Sequence, residues 1–590
     1  MRCQDVIQTG RLRHSGPRQA VIMSVSIAII AGCAKSEPQP AAPAPKSTPK
    51  TTIGEEQQQP PSPLQPSASQ PSPKVAQTSE SGPQRAQLLY VQHCGSCHGE
   101  KGDGQGTAAR FLFPKPRDFR NGQFRLVSTT NGFPTVGDIQ TVLSRGMPGS
   151  SMPPWPNISK ADQQLLAEWI VEFRREGIRD VERAMAAEDG EEVDEEELRE
   201  VVQLLTTPGP VIEVPEIPAA SPEAIERGKQ LYLKTCVGCH GKEGKGDGQE
   251  KMVDAKGLPA RPRDLTKGIF KGSPDPQSVY RRTQAGMPGS PMPATPKVTP
   301  EQIADLVHFV LSLSDAATRE AVVLSREKIV AAQVENAPQS PDDVAWNAVT
   351  PTTLRLTPLW WRDDFEPYLQ VRAVHDGNAV SLKLSWVDRS TDTHAAKSEA
   401  FEDAVAVELY RGDVEPFLGM GAAKSSIDVW MWDADRQSGA PDVDAVNPNL
   451  VVDNYPFSET VVATAEYARP GTKTANQPDL SLPARAGGNQ ISPGSDVSSA
   501  TSLEAGGPGT VTFRPPISQL VKAQGVWHDG QWSVVMTRQL KVDDATQGVS
   551  IEPGDRISAA FAVWNGSKHD RDGQKLITIW QDLVLETDGG

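Results

Sequence analysis

The chain has 590 residues, a formal net charge of −16, a 37% hydrophobic content and six cysteines. At roughly 150 residues per domain the length allows three or four domains, and the acidic balance argues against nucleic acid as a partner. Such a surface suits basic patches on a protein partner, where charge mainly sets encounter rate and orientation.

Residues 1–33 read as an export signal. Arg2, Arg11, Arg13 and Arg18 precede an apolar run from Ala20 to Ile30, the layout of a secretory leader. The run closes as Ile30-Ala31-Gly32-Cys33, which resembles a bacterial lipobox. That resemblance implies cleavage before Cys33 and lipidation of Cys33; the alternative is an ordinary signal peptide with a bystander cysteine. Cleavage also removes Cys3, so the only thiols left for chemistry are the four described below. No other stretch approaches the ~20 apolar residues that cross a bilayer. The expected location is therefore periplasmic or otherwise extracytoplasmic, with the protein tied to a membrane through its lipid; one acyl chain anchors weakly, so a stable anchor carries more. Residues 34–83 are rich in Pro, Ala, Ser, Gln and Thr, as in Pro60-Pro61-Ser62-Pro63. They bury too little apolar surface to fold and read as a disordered, semi-rigid tether.

Two units then repeat, 84–178 and 223–315. Cys94-Gly-Ser-Cys97-His98 recurs 142 residues later as Cys236-Val-Gly-Cys239-His240. Cys-x-x-Cys-His attaches a c-type haem: two thiols form thioethers and the adjacent His ligates iron. The similarity runs far beyond the motif. A helical pattern precedes it (Arg85 to Tyr90, Arg227 to Tyr232), then Gly-Asp-Gly (102–104, 246–248), Pro-Arg-Asp (116–118, 262–264) and Gly-Met-Pro-Gly-Ser-x-Met-Pro (146–153, 286–293) follow. Each unit closes on a helical pattern, Ala161 to Arg174 and Pro300 to Leu313. Each also offers two methionines for the second side of its iron, Met147 or Met152 and Met287 or Met292.

With these motifs both units resemble class I cytochrome c, a small all-α fold whose first and last helices cross beside the haem. The resemblance implies His98 and Met152 on one iron and His240 and Met292 on the other, because the family's Met sits in a Met-Pro step just before the final helix. His/Met ligation raises the reduction potential relative to bis-His iron. Arg117 and Arg263 are open to two roles, pairing with haem propionates or capping a turn.

Residues 179–222 form an acidic linker. The run from Glu188 to Glu197 reads as a solvated spacer, with a dedicated docking segment as the rival; Leu198 to Leu205 is a candidate short helix, and Pro208, Pro210, Pro215 and Pro218 mark extended chain. From 335 to 590 the period changes to that of strands: Ala379–Trp386, Ala404–Leu409, Trp532–Thr537 and Ile557–Trp564. Short alternating strands between Gly, Asp and Asn turns indicate an all-β sandwich, immunoglobulin-like or DOMON-like. The polar stretch 468–508 reads as a long loop, and the abundant Trp suits a core or a ligand cleft.

Three stretches carry the reading of this domain further: Asp403–Glu408 followed by Pro416–Gly421 and Ile427–Asp435; Trp532–Arg538; and Ala562–Gly566 followed by Asp570–Lys575 and Ile579-Trp580. Together they resemble the haem b-binding domain of the ethylbenzene dehydrogenase gamma-subunit family. Membership implies a non-covalent haem b held between Met420 and Lys575, with Lys541, Lys568 and His569 as rivals for the second position. It also implies service to a molybdenum-containing catalytic subunit and an Fe–S subunit. The expected protein is a non-enzymatic relay of electrons with two covalent haem c groups and one haem b, working between such an oxidoreductase and other cytochromes of a respiratory chain. Two other classes compete: a haem peroxidase with one open iron position, and a dihaem cytochrome whose sandwich binds carbohydrate or another ligand without haem.

Overall fold

The computed structural model describes residues 82–393, 400–422, 425–438 and 499–587. The export signal, Cys3, Cys33, the tether up to residue 81 and most of the 468–508 stretch lie outside the described residues.

In the first repeat, α1 (Gly82–Tyr90) runs into a π-helical turn (Val91–Gly95) and a last helical turn (Ser96–His98). Such turns widen a helix locally and often occur at functional sites; here the turn carries Cys94 and leads into Cys97 and His98. Helix α2 (Val136–Arg145) starts in a capping box between Thr135 and Asp138, which satisfies donors at its first turn. Helix α3 (Lys160–Asp189) crosses α1: the Tyr90 and Phe173 rings lie 4.8 Å apart, and Arg85 pairs with Asp162 at 2.6 Å.

The second repeat repeats these devices with α5 (Pro222–Thr235), α6 (Pro276–Ala285) and α7 (Pro300–Ser312). Tyr232 and Phe309 stand 5.0 Å apart and Arg227 pairs with Asp305 at 2.8 Å. Both tyrosine hydroxyls donate to the carbonyl of the residue after the motif His, Gly99 and Gly241, each at 2.8 Å.

The linker is more structured than its composition suggests. Helix α3 continues to Asp189 and folds back into α4 (Glu195–Thr206). Ile178 of α3 packs with Leu198 and Val202 of α4. Gly177 lies against the backbone of Arg120, where no Cβ would fit. Asp194 caps α4, and Glu195, Glu196 and Glu197 fill its first turn, where the helix dipole favours negative charge. This end of the acidic run thus builds a helix start.

The C-terminal domain is one hydrogen-bonded sheet with fourteen strands among the described residues. Its longer strands are β1 (Lys328–Gln333), β2 (Tyr368–His375), β3 (Ala379–Val387), β4 (Ala404–Tyr410), β5 (Ile427–Asp433), β6 (Ala500–Ala505), β7 (Lys522–His528), β8 (Gln531–Gln539), β9 (Arg556–Trp564) and β10 (Gln581–Leu585). Their spatial order is β7-β8-β3-β2-β1-β10-β9-β4-β5-β6. Strand β1 pairs in parallel with β10 and β2, and the other long pairs are antiparallel. The sheet folds over so that β8 meets β5 and encloses Trp386, Trp430, Trp432 and Trp532, with Trp432 and Trp532 4.9 Å apart. These four tryptophans are core. Strand β6 corrects the expectation of a continuous loop over 468–508: Ala500 to Ala505 pair antiparallel with β5, burying five of six residues. Thr501, Ser502 and Glu504 gave the segment a loop-like composition, but partners across the sheet satisfy its backbone.

Among the described residues no helix is long and apolar enough to cross a membrane.

Candidate functional site

Each Cys-x-x-Cys-His motif closes the helix that carries it. Among the described cysteines all four motif thiols are unpaired. The Nδ1–H of His98 donates to the Arg117 carbonyl at 2.9 Å, which leaves Nε2 as the free imidazole lone pair. The ring stacks on Phe119 at 4.5 Å, and burial pushes its pKa down to about 4, holding it in the neutral, ligating form. His240 is also pushed down to about 4 by burial, with Lys271 as a second cause, but its Nδ1 has no hydrogen-bond partner.

In both repeats a tight loop joins the two candidate methionines. The Met147 amide donates to the Met152 carbonyl at 2.9 Å, and the Met287 amide to the Met292 carbonyl at 3.1 Å. Met147 and Met152 both reach the cavity beside His98. In the second repeat Met287 is buried and Met292 half-buried.

That cavity, of about 1280 Å³, is the central feature of the molecule. One end is walled by Cys94, Cys97, His98, Met147 and Met152 of the first repeat; the other by Met420, Lys575, Glu408 and Trp564 of the sheet domain. Met420 has a φ of 81°, a region rarely adopted by residues other than Gly, and such strain persists where the surroundings enforce it. It sits between Leu418 and Gly421, next to the end of β6. Lys575 precedes the short strand Leu576–Ile577, and its Nζ lies 4.6 Å from the centre of the Trp564 ring. Burial holds this ammonium below the ordinary lysine range, in the direction a nitrogen ligand requires. Glu408 faces it from β4, its carboxyl pushed up to about 7 by burial.

The three rivals lie elsewhere. Lys541 is exposed; Lys568 is exposed and pairs with Asp364; His569 is exposed on a left-handed turn.

The two ends of the cavity are stitched together. Phe113 pairs as a bridge with Trp360, and the Phe113 amide donates to Leu359 O at 3.0 Å. Ala108, Leu112, Cys97 and Leu359 pack around Phe417, three residues before Met420. Glu415 accepts hydrogen bonds from Arg326, Ser558 and, in the first repeat, Asn157.

Sequence reasoning missed several wall residues. His93, directly before Cys94, is buried with an unpartnered Nδ1, 5.2 Å from Trp155. Its one sequence signal is the contrast with Thr235 at the matching place. Arg125 and Lys271 follow the two Pro-Arg-Asp motifs at equal spacing and both line the cavity, as do Arg117 and Arg263. Arg263 Nε and Nη1 and Arg125 Nε are buried without partners among the described residues. Buried guanidinium donors of this kind call for an anion. Two free thiols with two residues between them, an oriented imidazole, methionine thioethers, a buried amine and unsatisfied guanidinium donors together suit haem: an apolar ring with a metal centre and carboxylate arms.

The site therefore belongs to a multihaem cytochrome. Residues 82–170 match the family model described as cytochrome C oxidase, cbb3-type, subunit III, residues 225–314 match cytochrome c, and residues 343–576 match ethylbenzene dehydrogenase. The chain joins two cytochrome c domains, which take covalent haem c, to a domain of the ethylbenzene dehydrogenase family, which takes haem b. It is 24% identical over 252 residues to a Haloferax mediterranei chain assigned as respiratory nitrate reductase heme subunit ORF7, covering 42% of this chain and 68% of that one. It is 26% identical over 258 residues to the dimethylsulfide dehydrogenase subunit gamma of Rhodovulum sulfidophilum, covering 41% and 73%. A Kuenenia stuttgartiensis reducing HAO-like protein complex shares 31% identity over 39% of this chain and 96% of that chain, with a TM-score of 0.33.

Proposed function

We propose that this chain is the gamma-like haem subunit of a respiratory oxidoreductase. It relays electrons between a molybdenum- and Fe–S-containing catalytic partner and other cytochromes, and is not itself the catalyst. The observation that carries this reading is the single cavity shared by the first Cys-x-x-Cys-His motif and by Met420 and Lys575. Two cofactors in one enclosure exchange electrons without an intervening carrier. The bound irons supply one-electron chemistry, while the chain supplies binding, orientation and electrostatics. The gamma and heme subunits among the relatives support the same role.

In this reading Met152 and Met292 complete the c-type sites opposite His98 and His240, and Met420 and Lys575 hold the b-type ring. The functional units are 84–178, 223–315 and 335–590, the last as an immunoglobulin-like or DOMON-like sandwich. Export of the chain and lipidation at Cys33 would place all three on the extracytoplasmic side of a membrane.

The test is a pyridine haemochrome spectrum with acid–acetone extraction on full-length protein from haem-sufficient cells. Two covalent haems and one extractable haem b per chain are expected. Two covalent haems with nothing extractable would reduce the protein to a dihaem cytochrome with a haem-free sheet domain.

A further inference from the structure

The two repeats meet in a pseudo-symmetric way. Gly149, in the methionine loop of the first repeat, approaches Arg263 and Ile269 of the second so closely that an added Cβ would stand 2.7 Å from Arg263 Nε. Gly289, in the equivalent loop of the second repeat, approaches Gln123 of the first. Counted from the Pro-Arg-Asp motifs, Gln123 and Ile269 are matching positions, as are Arg117 and Arg263, and Arg125 and Lys271. The contact brings all four cations together on the wall of the first repeat's cavity. In a chain of net charge −16, these four cations form a cluster of positive charge on one cavity wall.

Its own counter-charges are few. Arg125 reaches Asp254 at 3.3 Å, and Arg263 lies 4.3 Å over the Trp361 ring with Asp363 nearby. Asp118 lies near Arg117 but already accepts from the Arg120 and Asn121 amides, and Asp138 on the cavity wall already accepts from Ser128 and Thr135. Burial and three neighbouring guanidinium groups hold Lys271 well below the ordinary lysine range, so an anion among them would restore its charged form.

Building on the cytochrome reading, we propose that the carboxylates of the first repeat's haem are bound at a site made by both repeats. Arg117 and Arg125 donate from the first, Arg263 and Lys271 from the second. The Pro-Arg-Asp arginine of the second repeat thus serves its neighbour's cofactor, and the first c-type potential is set partly from the second repeat. A cation beside the carboxylates disfavours the oxidised, more positive iron centre, so its removal lowers the potential.

The test is a potentiometric titration of full-length, haem-loaded protein, resolving the two c-type waves. Arg117→Gln and Arg263→Gln should each lower the same wave, by about tenfold in the one-electron equilibrium constant or ~59 mV. The double variant should change the spacing of the two waves by the sum. Lys271→Gln should lower that same wave, and Arg263→Lys should largely restore it, which guards against a variant that folds poorly. If Arg117→Gln and Arg263→Gln move different waves, and the double variant shifts both together, each arginine serves its own repeat and the proposal is overturned. An unmoved wave in Arg263→Gln overturns it too. A chain that carries no covalent haem at all would instead defeat the cytochrome reading.

Discussion

The backbone amide of Leu359 donates to the carbonyl of Lys575 at 3.0 Å. Leu359 in turn accepts from the Phe113 amide, so the loop after the first haem motif and Lys575, which lines the cavity together with Met420, hang on one short segment. Replacing Leu359 with Pro removes that donor and orphans the Lys575 carbonyl, a loss of roughly 1–3 kcal/mol. Extractable haem b should fall while both covalent haems remain, as read by haemochrome spectra before and after extraction.

Lys575→Arg separates charge from ligation. A guanidinium stays protonated at any accessible pH and offers iron no lone pair, whereas the enclosed lysine amine is already biased toward neutrality. Lys575→Arg and Met420→Ala should both lose haem b and keep the α-band of the covalent haems. Unchanged haem b in either variant would reassign that ligand.

Asp428 is nearly inaccessible and pairs with Arg538 at 2.7 Å and Arg514 at 3.3 Å. Removing one partner of a buried ion pair leaves uncompensated charge and costs about 3–5 kcal/mol. Asp428→Ala should therefore lower the urea midpoint of the sheet domain sharply, with the Trp fluorescence of the Trp386, Trp432 and Trp532 cluster as the probe.

His93 predicts a pH dependence. Burial pushes its folded-state pKa down to about 4, against 6.5 unperturbed. Between these values the unfolded chain binds more protons, so stability is full above about pH 6.5 and falls as pH drops toward 4. The loss from this residue reaches at most ~3 kcal/mol. His93→Gln should flatten denaturation midpoints over that window; an unchanged slope would mean that His93 is not buried neutral.

The legible part of this protein is its covalent and local chemistry. Cys-x-x-Cys-His is a contiguous motif, its duplication is visible by comparison, and strands such as 379–387 and 556–564 announce themselves by alternation. Capping residues such as Thr135 and Asp194 act within a turn of their own position. Such features depend on neighbours in the chain, so the sequence by itself determined two cytochrome c repeats and a strand-rich domain. Tertiary structure decided the rest. Ala500 to Ala505 become a strand because β5 lies ready to pair with them. Helix α3 runs on to Asp189 because α4 covers Ile178. The shared cavity exists because Phe113 docks on Trp360, and Arg263 turns toward the other repeat because Gly149 leaves room for it. Each of these joins residues far apart in sequence, where burial and charge act through space and the order of residues carries no signal.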